Sequence, residues 1–207
     1  MARNNYDFVA SLSNPNTSWG VVSMRYVFTY SDKSGNELGK EDGFISVMPR
    51  GNRSDESVKY LIADNVESAV PIAEVRLELS EFEWAEIVGD YDIKNLNENA
   101  IDVLDKKLTM NANLKMYTVT GRTKNTSAYD FKKVDVNTVL FDKDNKVLAA
   151  GKTNQLTMIA GDGWGFEVKL PNLREDVSKV AKVDIRAETD VFDKNNFMKD
   201  YRAADHE

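Results

Sequence analysis

Apolar and polar residues alternate along most of this chain, in short runs. In "YDFVASL" the residues Tyr6, Phe8, Ala10 and Leu12 share one face of an extended segment, and in "VSMRYVFTY" Val22, Met24, Tyr26, Phe28 and Tyr30 do the same. The pattern continues with Val58, Tyr60 and Ile62 of "VKYLI", Val75, Leu77 and Leu79 of "EVRLEL", and Leu114, Met116 and Thr118 leading to Val134, Val136 and Thr138. A period of two, broken by polar turns and nearly free of helical spacing, predicts antiparallel strands stacked as a sandwich. After Leu79 the alternation slips, so that Phe82 and Trp84 leave the parity set by Val75. A β-bulge near Glu81 is the expected cause. A turn or two of helix is expected only around Leu173, Val177 and Val180.

The pattern also repeats. With Asn16-Thr17-Ser18 aligned on Asn125-Thr126-Ser127 and one residue inserted, Asp32-Lys33 falls on Asp142-Lys143 and Leu38 on Leu148. Val58, Tyr60 and Ile62 then meet Phe166, Val168 and Leu170, and Val75, Leu77 and Leu79 meet Val183, Ile185 and Ala187. A repeat of about 110 residues is too long for a solenoid unit and fits a duplicated domain. The expected organisation is a first sandwich over 1–90, a linker over 91–111, and a second sandwich over 112–207 that ends in a C-terminal tail.

Each copy carries an Asp-rich turn, "DKSGNE" and "DKDNKV". Gly35 and Asn145 occupy the place where a type I turn needs a left-handed residue, so both read as hairpin turns. Asp32, Ser34 and Asn36, or Asp142 and Asp144, also present oxygens at alternate positions, as a calcium loop does. Neither turn has the twelve-residue length or the terminal bidentate Glu of an EF-hand.

Composition narrows the chemistry. At 42% apolar and 29% charged residues over 207 positions, the chain has the makeup of a globular protein that buries a core. It has no cysteine, which removes disulfides, thiol catalysis and thiolate metal sites. Its one histidine, His206, stands next to the C-terminus, a poor place for a triad or a general base. Residues 1–90 hold 15 acids and 8 bases, whereas the rest hold 19 of each. An acidic first half disfavours nucleic acid and anionic membrane. No catalytic, cofactor or metal residue is assigned.

The stretch "VTGRTKNTS…VDVNTVLFDKDNKVLAAG…GWGFEVKLP" resembles the FxLYD domain family of immunoglobulin-like modules. Gly121 and Asn125 match its Gly-x-x-x-Asn strand end, and Leu140, Phe141 and Asp142 stand at its Leu-Tyr-Asp positions. Thr138 replaces the leading Phe, and Asn145 the usual Gly. The first copy is similar but looser, with Phe28, Tyr30 and Asp32. The pair of modules is similar to two-module surface proteins of small-genome bacteria. That resemblance implies two tandem immunoglobulin-like antiparallel β-sandwiches from an internal duplication, held outside the membrane by an N-terminal anchor that precedes this chain. It transfers no catalytic residue.

Three tryptophans, Trp19, Trp84 and Trp164, are the candidate partner contacts, since Trp is enriched at binding hot spots. A sandwich core is the commoner place for an indole. Glu81, Glu83 and Glu86 read as a solvated strand edge rather than a glycosidase carboxylate pair, and the group Arg122, Lys124, Lys132 and Lys133 has no aromatic ladder for nucleic acid. The expectation is a non-catalytic monomer, displayed extracytoplasmically and acting through an unidentified protein partner. The alternatives are a small-ligand or glycan-binding module, and a cytoplasmic stress-protective sandwich protein.

Overall fold

The computed structural model of the protein describes residues 4–49, 58–87, 100–111, 116–171 and 177–198. The chain divides into two compact units, Met1–Gly89 and Asp90–Glu207. Both are built from antiparallel β-sheets, as the period of two requires.

The first unit contains β1 (Asn4–Ser13), β2 (Trp19–Ser31), β3 (Glu37–Val47), β4 (Val58–Ser68) and β5 (Glu74–Glu86). One sheet is the pair β1-β4 and the other is ordered β3-β2-β5. Phe8, Leu61 and Val66 of the first sheet pack against Phe28 and Tyr30 of the second, with Ala10, Leu12 and Leu77 around them. The Phe8 ring lies 6.1 Å from Phe28 and 5.4 Å from Tyr30, which closes the two layers over an aromatic centre.

The second unit contains β6 (Ile101–Asn111), β7 (Met116–Asn125), β8 (Phe131–Phe141), β9 (Val147–Met158), β10 (Gly163–Leu170) and β11 (Lys182–Glu188). Its sheets are ordered β10-β7-β6 and β11-β8-β9. Tyr117, Val119, Val168 and Leu170 pack across the gap onto Val136, Leu140, Ala149 and Ile185. After β11 the chain folds back: Asn196 accepts the Lys133 N–H at 2.9 Å and donates to Thr189 Oγ1 at 2.6 Å, while the Phe197 ring lies 5.5 Å from Phe131.

The structure corrects several expectations. The range 91–111 is not all linker, because residues 101–111 form β6, an integral strand of the second unit; residues 91–99 lie outside the described residues. In β7 the core side chains are Tyr117 and Val119, so Met116 and Thr118 have the outward parity, and Leu114 lies outside the described residues. In β4 the core side chains are Leu61, Ala63 and Val66 rather than Val58, Tyr60 and Ile62. Tyr60 and Ile62 are buried on the other side of the strand, so both parities are apolar and the pattern does not choose the core face; beyond Ala63 a bulge at Asn65, whose φ is 59°, passes the core face to Val66. In β2 an extra residue puts Val21, not Val22, in the core beside Met24. Of the expected helix only a 3-10 turn, Val177–Lys179, falls among the described residues.

The two units share local devices. Tyr30 lies opposite Val75 and Phe28 opposite Leu77, just as Leu140 lies opposite Val183 and Thr138 opposite Ile185. One strand has no counterpart: β6 borders β7 in the second unit, whereas among the described residues β1 pairs only with β4.

Candidate functional site

The Asp-rich turns were candidates for metal binding, and their geometry is that of self-contained hairpins. Asp32 Oδ1 accepts the N–H groups of Ser34 and Asn36 at 2.8 and 2.9 Å, and Oδ2 accepts the Asn36 side-chain amide at 2.9 Å. In the other turn Asp142 Oδ1 accepts from Asp144 and Lys146, both at 2.9 Å. Gly35 and Asn145 take the left-handed conformation, with φ of 82° and 59°. The Asn36 side chain and the turn amides hold the Asp32 carboxyl below its usual value. These oxygens face inward to their own backbone, and among the described residues no group of acidic or histidine side chains converges as a metal site.

Asn125 is also a structural device. Fully buried, it donates to the Tyr129 and Met158 carbonyls at 2.7 and 3.2 Å and accepts from Ser127 N and Oγ. In the first unit the same role falls to Asn14, which donates to the Trp19 carbonyl at 2.7 Å and accepts from the Asn16 N–H at 3.1 Å. The equivalent of Asn125 is therefore Asn14, two residues before the Asn16 that the sequence alignment pairs with it. Gly121, the other strand-end residue, lies against the Phe166 ring, where a Cβ would come within 2.7 Å of a ring atom.

The remaining charged candidates do not converge. Glu81 reaches Arg25 at 3.6 Å, Arg122 reaches Asp105 at 3.8 Å, and Lys133 pairs with Asp135 at 2.8 Å. Each is an exposed pair of the kind that contributes little.

The three tryptophans carry more information, because none is a core indole. Trp19, Trp84 and Trp164 are 44%, 46% and 44% exposed. Trp164 stands at the start of β10, opposite Thr123, in the second unit. Trp19 and Trp84 belong to one surface of the first unit. Trp84 lies opposite the buried Val21, two residues along from Trp19, so the ladder sets both indoles on the inward face of the β3-β2-β5 sheet.

The bulge makes that surface continuous. Leu79 pairs with Tyr26, Ser80 with Arg25, and then Glu83 with Ser23, so β5 carries one extra residue there. Glu81 absorbs it with φ of 54°. The slip returns Phe82 and Trp84 to the face of Val75, Leu77 and Leu79, and the two rings stack at 6.2 Å with 15° between their planes. Val75, Leu79, Phe82 and Trp84 are all exposed, although they point to the side of the sheet that forms the core. Among the described residues of the first unit, no strand covers them as β6 covers β11 in the second. In the second unit β6 lies over β11, and its Val103 and Leu108 pack on the core beside Val183 and Ala187. In the first unit nothing among the described residues takes that place.

Sequence reading found Trp19 and Trp84 individually but not the surface they share. Its signal was present in "EVRLELSEFEWAE", where one strand alternates apolar residues with five glutamates.

No protein-family model and no curated protein matches the chain. Solved structures that align with it include a β-glucuronidase of Bacteroides uniformis, with 14% identity, 82% of this chain and 22% of that one covered, and a TM-score of 0.24. Another is a β-glucuronidase from glycoside hydrolase family 2, with 12% identity, 90% and 24% coverage, and a TM-score of 0.24. The chain thus spans about a quarter or less of the length of these proteins.

Proposed function

We infer that the protein is a non-catalytic pair of immunoglobulin-like modules of FxLYD type, displayed outside the membrane, that works as a monomer by contacting another protein. The observation that carries this reading is the exposed apolar face of β5. Contiguous apolar surface rimmed by polar residues marks an interaction site, and paired aromatic rings are frequent binding anchors. The resemblance of Gly121, Asn125, Leu140, Phe141 and Asp142 to the FxLYD pattern supports the module type and the location.

A photo-crosslinking residue placed at Phe82 in the full chain, in its native cells, tests the contact. The expected result is a discrete adduct that is missing when the same residue replaces Phe44, which is even more open on β3. Adducts of the same pattern from both positions would refute the reading. Protease added to intact cells tests the location: digestion of the protein while a cytoplasmic control survives is expected, and protection until lysis would favour the cytoplasmic alternative.

A second reading rests on the 15° stack of Phe82 and Trp84, a flat platform of the kind that sugar rings lie against. Quenching of tryptophan fluorescence by one oligosaccharide in a panel, lost in Trp84→Ala, would favour it.

A further inference from the structure

We propose that residues 189–198 form a strap that swings off the edge of β8 and back as one piece while both sheets of the second unit stay folded. The strap belongs to the second unit, so the inference stands apart from the protein-contact reading, which rests on the first.

The ladders show where the strap takes over from the sheet. In the first unit β5 stays paired with β2 as far as Glu86, opposite Trp19. In the second, β11 leaves β8 at Glu188, opposite Asp135, and among the described residues the chain rejoins β8 only at a single bridge between Phe197 and Phe131. It spends residues 189–196 where β8 has only 132–134. Along that stretch side chains meet the edge of β8. Asn196 Oδ1 accepts the Lys133 N–H at 2.9 Å, and Thr189 Oγ1 donates to the Lys133 carbonyl at 2.8 Å. Two side chains thus hold the backbone groups that a longer β11 would have paired.

The strap is bonded to itself. Asp190 Oδ1 accepts the N–H groups of Phe192 and Asp193 at 3.0 and 3.3 Å, and Asp193 Oδ1 caps the 3-10 turn Lys194–Asn196 by accepting from Asn195 at 2.9 Å. Asn196 Nδ2 donates to Thr189 Oγ1 at 2.6 Å and to the Asp190 carbonyl at 3.1 Å. A segment tied together in this way keeps its shape when it moves. Its hold on the sheet beyond Lys133 is the Met198 N–H, which donates to the Asp130 carbonyl at 2.9 Å, and the Phe197 ring, 5.5 Å from Phe131 and 5.6 Å from Tyr129. Val191 is the one apolar side chain of the strap that is buried, and Asp193, Lys194 and Asn195 are exposed. Few buried apolar contacts and few ladder bonds are the marks of elements that open without global unfolding. Opening strips the strap's cover from Phe131 and from the β8 edge at Lys133.

The test is amide hydrogen exchange of the full chain, read by NMR in water and in low urea. The Lys133 and Met198 amides, held by different contacts, are expected to share one protection factor. It should lie about a hundredfold or more below that of the β8–β9 ladder amides and hardly change with urea, since a local opening exposes little surface. Asn196→Ala should speed Met198 about tenfold or more, although the partner of Met198 is Asp130, and Phe197→Ala should do the same for Lys133. Ladder amides that keep their protection show that each variant is folded; should one lose it, the wild-type rates decide.

Exchange of Lys133 and Met198 at the ladder rate, with the ladder's urea dependence, would overturn the proposal, because the strap would then open only with the whole unit. Acceleration confined to Lys133 in Asn196→Ala and to Met198 in Phe197→Ala would overturn it as well, as the mark of separate fraying. So would absence of protection at both amides, which leaves no closed state.

Discussion

Tyr30 lies directly opposite Gly39 across the β2–β3 ladder, and its ring fills the space that a Cβ at position 39 would need. The nearest carbon of the ring, Cζ, is 2.7 Å from that point. Gly43 stands in the same relation to Tyr26, with the ring carbon Cζ at 3.0 Å. The two glycines let β2's aromatic side chains lean across β3 into the core. Gly39→Ala is expected to displace the Tyr30 ring from Phe8 and to cost about 1–3 kcal/mol, the usual range for overpacking. Urea denaturation monitored by circular dichroism measures it. A midpoint unchanged from wild type would show that the ring moves aside freely.

Asn125→Ala removes four hydrogen bonds from a fully buried site and leaves the Tyr129 and Met158 carbonyls without that donor. The expected loss is about 2–3 kcal/mol, since unmet buried groups cost more than the bonds contribute. Asn14→Ala, which removes three bonds rather than four, should lose less. Chemical denaturation of the two variants ranks them.

Thr138 is fully buried on β8, and its hydroxyl has no hydrogen-bond partner. Thr138→Val keeps the shape and removes the orphaned group. The variant should be more stable by about 1 kcal/mol, because an unsatisfied buried hydroxyl costs on that order. Thermal unfolding that is unchanged or lower would refute this.

The Asp32 carboxyl is held below its ordinary value of 3.8 by the Asn36 side chain, with help from the turn amides. A group whose folded value is depressed stabilises the turn fully above its unfolded value and loses that contribution as pH falls through the folded value. The hairpin is therefore expected to loosen as the pH falls below the usual carboxylate range. The chemical shifts of the Ser34 and Asn36 amides should report a midpoint below 3.8. A midpoint at or above that value would contradict the geometry.

Strand content was readable because alternation is a local signal: the Tyr6, Phe8, Ala10 and Leu12 set faces the core as a period of two demands. The hairpin turns were readable because a left-handed position selects Gly35 or Asn145. Phase was not readable wherever one residue was inserted. A bulge beside Val22 moves the side chains beyond it to the other face, and no residue type announces it with the clarity of a turn glycine; in β4 Tyr60 and Ile62 are buried like Leu61 between them, so apolar parity does not choose a side. The slip at Glu81 was visible only because Phe82 and Trp84 are too apolar for the outer face. The separation of β6 from the expected linker failed for the same reason, since Asp105 bulges with φ of 54° and hides the alternation. The exposure of Trp19 and Trp84 depends on which strand is present in the opposite layer, and that is a property of the whole unit.

A long edge strand with an open apolar face is ordinarily an invitation to pair with its own kind. On β5 the five glutamates set like charges against like charges whenever two such strands approach side by side. The glutamates thus keep the molecules apart from one another, and the apolar row of β5 can stay open in a crowded solution without becoming a seed for aggregation.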